Sequence, residues 1–291
     1  MASPIPISRT VKCAMSVVFY AVQSLARLAR TVAGKRPARC MILYYHSVPR
    51  DQRARFARQL DVIRRHSHVV DVTVAGALAS GHRYTGITFD DAFENYLTEA
   101  LPELAARRMP STMFVISGAL GKSFGPAGRS EKVMTAEQLC SLPQDLVSVG
   151  SHTVSHPYLP ELALDHARRE LRDSRASLEQ LLQRDVSTFS FPFGGFSSAL
   201  VDFCREAGYR RTFTTLPAFA FSAGGDEFVV GRVRVDPTDW PLEFRLKLAG
   251  AYNWLPWAFA LKRKLKGARS VEQILTKPAA ERSVVREWRE N

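Results

Sequence analysis

The chain has 291 residues, 46% of them hydrophobic and 23% charged, with 17 Gly and 16 Pro, which excludes collagen-like, coiled-coil and wholly disordered classes. Such a length can bury one large α/β core or two small ones, and no apolar run reaches the roughly 18 residues a membrane span requires. The net charge of +12 belongs to the ends: residues 1–40 hold seven Lys or Arg and no acid, residues 261–291 hold nine against four acids, and residues 41–260 carry 24 of each sign. A neutral body without a recognition motif argues against nucleic acid as a partner.

In chain order, Val11–Arg30 predicts a helix, with Val11, Met15, Val18, Phe19, Val22 and Leu25 on one face and Lys12, Ser16, Gln23, Arg27 and Arg30 on the other. Met41–Tyr45 reads as a buried strand and Asp51–Arg65 as a helix. Val69–Val72 is a strand, Val74–Ser80 a short helix closed by Gly81, and Gly86–Phe89 a strand running into Asp90-Asp91. Ala92–Arg108 is then helical, Ser111–Ile116 a strand, and the Gly-rich stretch Gly118–Ser130 a loop. Thr135–Ser141 reads as a helix capped by Thr135, Leu146–Val149 as a strand, Leu162–Gln183 as a long charged helix, Ser187–Phe191 as a strand and Ser197–Gly208 as a helix. Strands alternating with helices imply parallel βαβ units in a barrel or a doubly wound sheet. His46, Asp90, Asp91, His152 and Pro192-Phe193 all follow strands, and a parallel barrel gathers such ends on one face.

The ends have a character of their own. The uncharged stretch Cys13–Ala26 is 14 residues, too short to cross a bilayer. Near the other end Tyr252, Trp254, Leu255, Trp257 and Phe259 precede Lys262-Arg263-Lys264-Leu265-Lys266. Aromatics followed by cations suit a membrane interface, where rings sit among headgroups and cations meet anionic lipid. The alternatives are helices packed on the domain with solvated charged faces, or a signal peptide cleaved after Ser24-Leu25-Ala26. Four separated cysteines (Cys13, Cys40, Cys140, Cys204) with no CxxC pair exclude a disulfide framework and fit a reducing compartment; Cys140 and Cys204 read as buried and inert. A cytoplasmic location, peripheral at the membrane, follows, with a periplasmic or secreted one as the alternative.

Two short motifs carry chemistry. Ser151-His152-Thr153-Val154-Ser155-His156-Pro157 places two histidines at i and i+4, a spacing that can chelate a metal. Thr88-Phe89-Asp90-Asp91 puts two carboxylates at a strand end, where one can ligate a cation and the other act as base, although Asp91 could equally cap the following helix. His66, His68, His82 and His166 take no role.

Thr88–Asp91, followed 61 residues later by His152–His156 and then by Phe189-Ser190-Phe191-Pro192-Phe193-Gly194, resembles the polysaccharide deacetylase (NodB-homology, carbohydrate esterase family 4) family. The likeness covers about residues 40–240, and Tyr45-His46 fits a subgroup whose catalytic His motif lies at the N-terminal end. It implies an α/β fold, a distorted (β/α) barrel of the NodB-homology type, over residues 37–240. A basic amphipathic segment (1–36) precedes that domain and an aromatic, basic tail (241–291) follows it. It further implies that Asp91, His152 and His156 hold one divalent metal, zinc above all, with cobalt, nickel or manganese as other ions of suitable chemistry. Asp90 would be the general base, His46 the general acid, and the backbone N–H of Phe193 an oxyanion donor.

Two departures from the family pattern bear on this. No histidine follows His166, so the usual Leu-x-x-His near the C-terminal end is absent; Leu43-Tyr44-Tyr45-His46 supplies that pattern at the other end of the domain, which in a closed barrel is adjacent. Ser190 stands where the family commonly has an Arg that orients the base, and Phe193 where it has Tyr. Arg232 or Arg234 is expected to replace that Arg. Asp236, Asp239 and Trp240 resemble a fourth motif, which steadies the catalytic His and lines the groove. The resulting expectation is a metal-dependent hydrolase that releases acetate from an N-acetylated saccharide substrate, in peripheral contact with anionic membrane. The alternatives are a catalytically silent glycan-binding or membrane-assembly module, or a deacylase of another acyl or amide substrate.

Overall fold

The structure, a computed structural model, describes residues 8–32, 38–73, 78–126, 128, 130–221 and 227–265. A long helix α1 (Arg9–Val32) leads into β1 (Arg39–Tyr45), α2 (Arg53–His66), β2 (His68–Val70) and β3 (Arg83–Asp90). There follow α3 (Leu101–Ala106), β4 (Ser111–Val115), the hairpin β5 (Ser123–Phe124) and β6 (Glu131–Lys132), α4 (Ala136–Cys140) and β7 (Val147–Ser151). The chain continues through α5 (Leu164–Leu182), β8 (Thr188–Ser190), α6 (Ser198–Glu206), β9 (Arg211–Thr214) and β10 (Phe219–Ala220). It ends its described part with β11 (Val229–Gly231), β12 (Val233–Arg234), α7 (Pro241–Leu248) and α8 (Leu255–Leu265).

Strands β1, β3, β4, β7, β8, β9 and β11 run side by side and parallel. One short segment nearly closes this sheet into a barrel. Val229–Gly231 registers with Thr212–Thr214 of β9, while Val233 and Arg234 register with Leu43 and Tyr44 of β1. Arg232 is the residue between those two pairings. The chain ends of the domain therefore meet, as a distorted (β/α) barrel requires. Both faces of the strands are covered, which is why β1, β3 and β4 are buried along nearly their whole length rather than at alternate residues. Met41, Leu43 and Tyr45 pack outward with Phe56, Leu60 and Ile63 of α2, whereas Cys40 and Ile42 join Phe114, Phe213 and Val230 in a separate inner cluster.

Several elements depart from the sequence expectation for identifiable reasons. The expected helix over Ala92–Arg108 begins late, because Asp91 and Ala92 hold left-handed φ values of 73° and 57° that no right-handed helix admits. Tyr96–Ala100 forms a wider π turn before α3. Pro102 has no N–H for the carbonyl of Thr98, which instead accepts from the Arg53 guanidinium at 3.4 Å. The expected loop Gly118–Ser130 contains the β5 strand of a hairpin, and its described residues include a single turn at Ser117–Ala119. Of the short helix expected over Val74–Ser80, residues 74–77 lie outside the described residues, and 78–80 are not helical. Cys140 is exposed rather than buried, while Cys204 is buried.

The C-terminal boundary expected at residue 240 also shifts. Phe244, Leu246, Ala251 and Tyr252 belong to the main core, so α7 and the turn after it are part of the barrel's packing. The cationic run at 262–266 was expected at an interface; its side chains lie outside the described residues.

Candidate active site

The carboxyl ends of β3, β7 and β8 bring the chemistry-bearing residues together. Asp90 closes β3 and Asp91 follows it in the left-handed turn. His152 follows β7, and the chain continues through Thr153 and His156, both also left-handed at φ 70° and 59°. Phe193, at φ 57°, sits in the turn after β8. Five of the eight non-glycine residues with positive φ among the described residues thus cluster here. Each costs on the order of 1–3 kcal/mol, and such strain concentrates where function fixes side-chain direction. The loop between the histidines is held from outside. Glu170 of α5 accepts from the backbone N–H of Val154 and Ser155 at 2.8 and 3.0 Å, and from the Ser155 hydroxyl at 2.6 Å.

The histidine pair is not helical, as the i, i+4 spacing allowed, but the two rings still converge. Asp91, His152 and His156 present ligand atoms that all lie within 4.8 Å of one another. The Nε2 atoms of His152 and His156 stand 3.6 and 3.5 Å from Asp91 Oδ1. Those separations are too long for hydrogen bonds. They are close to the ~3.3 Å between neighbouring ligands of a tetrahedral ion with bonds of 2.0–2.1 Å. His152 Nδ1 lies 2.7 Å from the carbonyl oxygen of Ser190 and donates to it, which leaves Nε2 as the lone-pair atom facing Asp91.

Asp91 Oδ1 is buried and has no hydrogen-bond partner. Burial, then the neighbouring Asp90 charge and Glu131, push the Asp91 carboxyl well above its usual range. Burial likewise drives both imidazoles down, that of His156 to about 2, so both are neutral. An orphaned carboxylate oxygen facing two neutral imidazole nitrogens is a donor set that fits a divalent cation.

Asp90 has the opposite environment. Burial alone would raise its pKa, but the Arg232 guanidinium, with His152 and His46 behind it, pulls it to about 2. Arg232, 0% exposed, donates from its two terminal nitrogens to Oδ1 and Oδ2 of Asp90 at 2.7 and 2.8 Å. It also donates to Ser190 Oγ at 2.6 Å, Thr88 Oγ1 at 3.0 Å and the Thr214 carbonyl at 3.4 Å. Its guanidinium lies over the rings of Tyr44 and Phe114 at 4.7 and 5.1 Å. Of the two arginines considered as the missing cation, the structure brings Arg232 to Asp90. Arg234 is exposed. Ser190, standing where an Arg is common, instead accepts a bond from that Arg. Gly150 makes room beneath: a Cβ there would stand 2.5 Å from the Phe114 ring.

His46 follows β1, half-buried, with its ring edge-on to Tyr44 at 5.6 Å. Burial lowers its pKa to about 4, although Asp90 works in the other direction. Phe193 packs its ring on His156 at 4.7 Å, and Phe124 of β5 packs on the same imidazole at 5.2 Å.

The fourth-motif expectation is corrected. Asp236 accepts from Thr238 N and Oγ1 in a tight turn. Asp239 accepts from Lys247 at 2.7 Å. Trp240, 45% exposed, lies under the guanidinium of Arg9. These residues anchor the ends of the chain rather than His46, because Asp-Pro-Thr-Asp is used here as turn chemistry. The sequence reading missed Glu170, Asn95 and Glu131. Asn95 donates to Ser47 and to Glu131 beside the site. None of them carries a local signal, because each acts across a fold contact.

The family profile described as polysaccharide deacetylase matches residues 78–212. Over that span the chain is similar to the polysaccharide deacetylases. The Bacillus subtilis (strain 168) protein named "Putative polysaccharide deacetylase YxkH" is 30% identical over 151 residues, which is 52% of this chain and 51% of that protein. The chain therefore spans about half the length of the curated relative it matches. Among solved structures, IcaB from Ammonifex degensii aligns with a TM-score of 0.62 at 26% identity, covering 72% of this chain and 97% of that one. The Streptococcus pyogenes deacetylase PplD, solved in complex with acetate, aligns with a TM-score of 0.61 at 22% identity over 73% of this chain and 99% of that one, a likeness of fold. The barrel is the distorted (β/α) type of the NodB-homology deacetylases, and the span matched by the family profile contains Asp90, Asp91, His152, His156 and Phe193.

Proposed function

We propose that this chain is a metal-dependent hydrolase that removes N-acetyl groups from an amino sugar in a polysaccharide, oligosaccharide or lipid-linked saccharide, releasing acetate and a free amine. The observation that carries this reading is the buried, unpartnered Oδ1 of Asp91 facing the Nε2 atoms of His152 and His156. Zinc suits the set best, and cobalt, nickel or manganese would suit it as well. When bound, such an ion polarises a carbonyl and lowers the pKa of water.

The chain's own residues supply the rest. Asp90 stays ionised under Arg232, and the two-pronged contact fixes both of its oxygens, so it takes the proton of the attacking water from one defined position. His46 delivers a proton to the leaving amine. Burial keeps that imidazole neutral at rest, so the proton it gives is taken up during the same turnover. The Phe193 backbone, in its left-handed turn, serves the developing oxyanion. Phe124, Phe193 and Tyr158 form an apolar wall around His156 against which a sugar ring can lie.

The test is elemental analysis of wild type and His152→Ala, with acetate release measured on N-acetylated oligosaccharides. We expect about one metal per chain in wild type, almost none in the variant, and acetate release lost with it. Wild type that takes up no zinc, cobalt, nickel or manganese and releases no acetate, yet binds glycan, would overturn the reading in favour of a silent binding module. Metal uptake with release only from other acyl substrates would overturn the substrate class.

A further inference from the structure

Helix α1 is mounted with its polar stripe toward the protein. Arg9 donates to Glu243 Oε2 at 2.7 Å and to the carbonyl of Thr238 at 2.9 Å. Ser16, fully buried, accepts from Trp254 Nε1 at 3.0 Å, Cys13 is buried beside it, and Tyr20 packs against the main core. The alternative expectation for this helix, packed on the domain with its charged face solvated, is thus reversed. Val11, Met15, Val18, Val22 and Leu25 face outward at steps of three and four residues, and the last three are 65%, 60% and 71% exposed. Val17 joins them, as do Trp257 and Leu261 on α8, which starts one residue after Trp254.

A helix of a soluble domain buries its apolar stripe. One that turns such a stripe outward over about 20 Å of its length marks a surface for an apolar partner. The charges name the partner. The helix contains Arg9, Lys12, Arg27 and Arg30 and no acid. It lies in a 40-residue segment without a single acid, while the barrel itself is neutral. Two copies pairing through this face would bring two such acid-free segments side by side, so self-association is disfavoured. An anionic bilayer satisfies both features, taking the valines and Leu25 into the acyl boundary while its negative surface potential attracts the acid-free segment as a whole. No helix among the described residues is long and apolar enough to cross a membrane, so the helix would lie in the plane of the surface. We propose that the outward face of α1 docks the domain on anionic lipid.

The experiment is flotation of the full chain with vesicles of phosphatidylcholine alone, or with a third of the lipid replaced by phosphatidylglycerol. The protein is expected to float with the anionic vesicles, to stay behind with the neutral ones, and to be released by high salt. V18D/V22D changes only exposed positions, so it should keep the wild-type Tm and acetate release while partitioning about 10-fold or more weaker. Failure to float with anionic vesicles, or flotation unaffected by V18D/V22D, would overturn the proposal. So would a concentration-dependent dimer in light scattering that V18D/V22D abolishes, since the occupant would then be a second copy. These readouts do not depend on the metal site.

Discussion

Arg232 spends all five of its N–H groups, two of them on Asp90 and the others on Thr88, Ser190 and Thr214. A lysine could offer only a point charge with three donors and no fork. Arg232→Lys is therefore expected to keep the fold but let Asp90 drift, lowering kcat/KM by about 100-fold, because small displacements of a reacting group cost that much. Arg232→Ala should also destabilise, by about 3–5 kcal/mol, since it leaves a buried carboxylate without its cation. Acetate-release kinetics with melting curves for both variants check this. Wild-type turnover in Arg232→Lys would show that the pairing does not matter to the reaction. The histidines and the aspartate pair were legible because each motif is local, a few residues long. Arg232 was legible only as one of two candidates, since strand alternation would put 232 and 234 on the same face. The chain changes partner between β11 and β12 at that residue, and the alternation breaks there.

Among the elements, strands and helices whose caps or periodicity are local were readable to within a few residues. Thr135, for example, forms the capping box with Gln138 that its position suggests. What was not readable depended on contacts between elements. The start of the helix after Asp91 is set by the left-handed turn that points Asp91 at the histidines. The junction of α2 with α3 is another such contact. Arg107 donates to Asp61 at 3.0 Å and to Glu103 at 2.8 Å, and Arg53 also reaches Glu103. Hydrogen bonds from these arginines hold the Asp61 and Glu103 carboxyls below their usual range. A carboxylate with a depressed folded pKa stabilises above its unfolded value, and that contribution is lost as pH falls and it protonates. Arg107→Gln should therefore melt lower than wild type at pH 7, by no more than about 3 °C given how exposed the cluster is. The gap should close below about pH 4 and narrow in high salt. A gap that persists unchanged at pH 3 would mean that Arg107 acts through packing rather than charge.

At the scale of the whole molecule, a closed barrel makes the two ends of the domain neighbours. His46 after β1 and Arg232 before β12 come to one site although most of the domain separates them in sequence. The same closure places the Asp236–Asp239 turn just beyond β12, and that turn receives the first residue of α1 through the Arg9 contact with Thr238. The helix is thus tied to the rim of the barrel by Arg9 and further along by Ser16. The residues assigned to the chemistry all lie between His46 and Arg232. Deleting residues 1–32 removes one of the two cations on Glu243, Lys247 remaining at 3.1 Å, and the acceptor of Trp254, whose N–H costs about 1–3 kcal/mol when left unsatisfied. A loss of roughly 5–10 °C in Tm is expected for a domain of this size. Acetate release by the folded protein should stay within about twofold of wild type, because distant sites contribute independently. Melting and turnover measured on the same truncated preparation separate the two effects. Turnover abolished at an unchanged Tm would show that α1 shapes the site directly, and the barrel could no longer be regarded as catalytically complete without it.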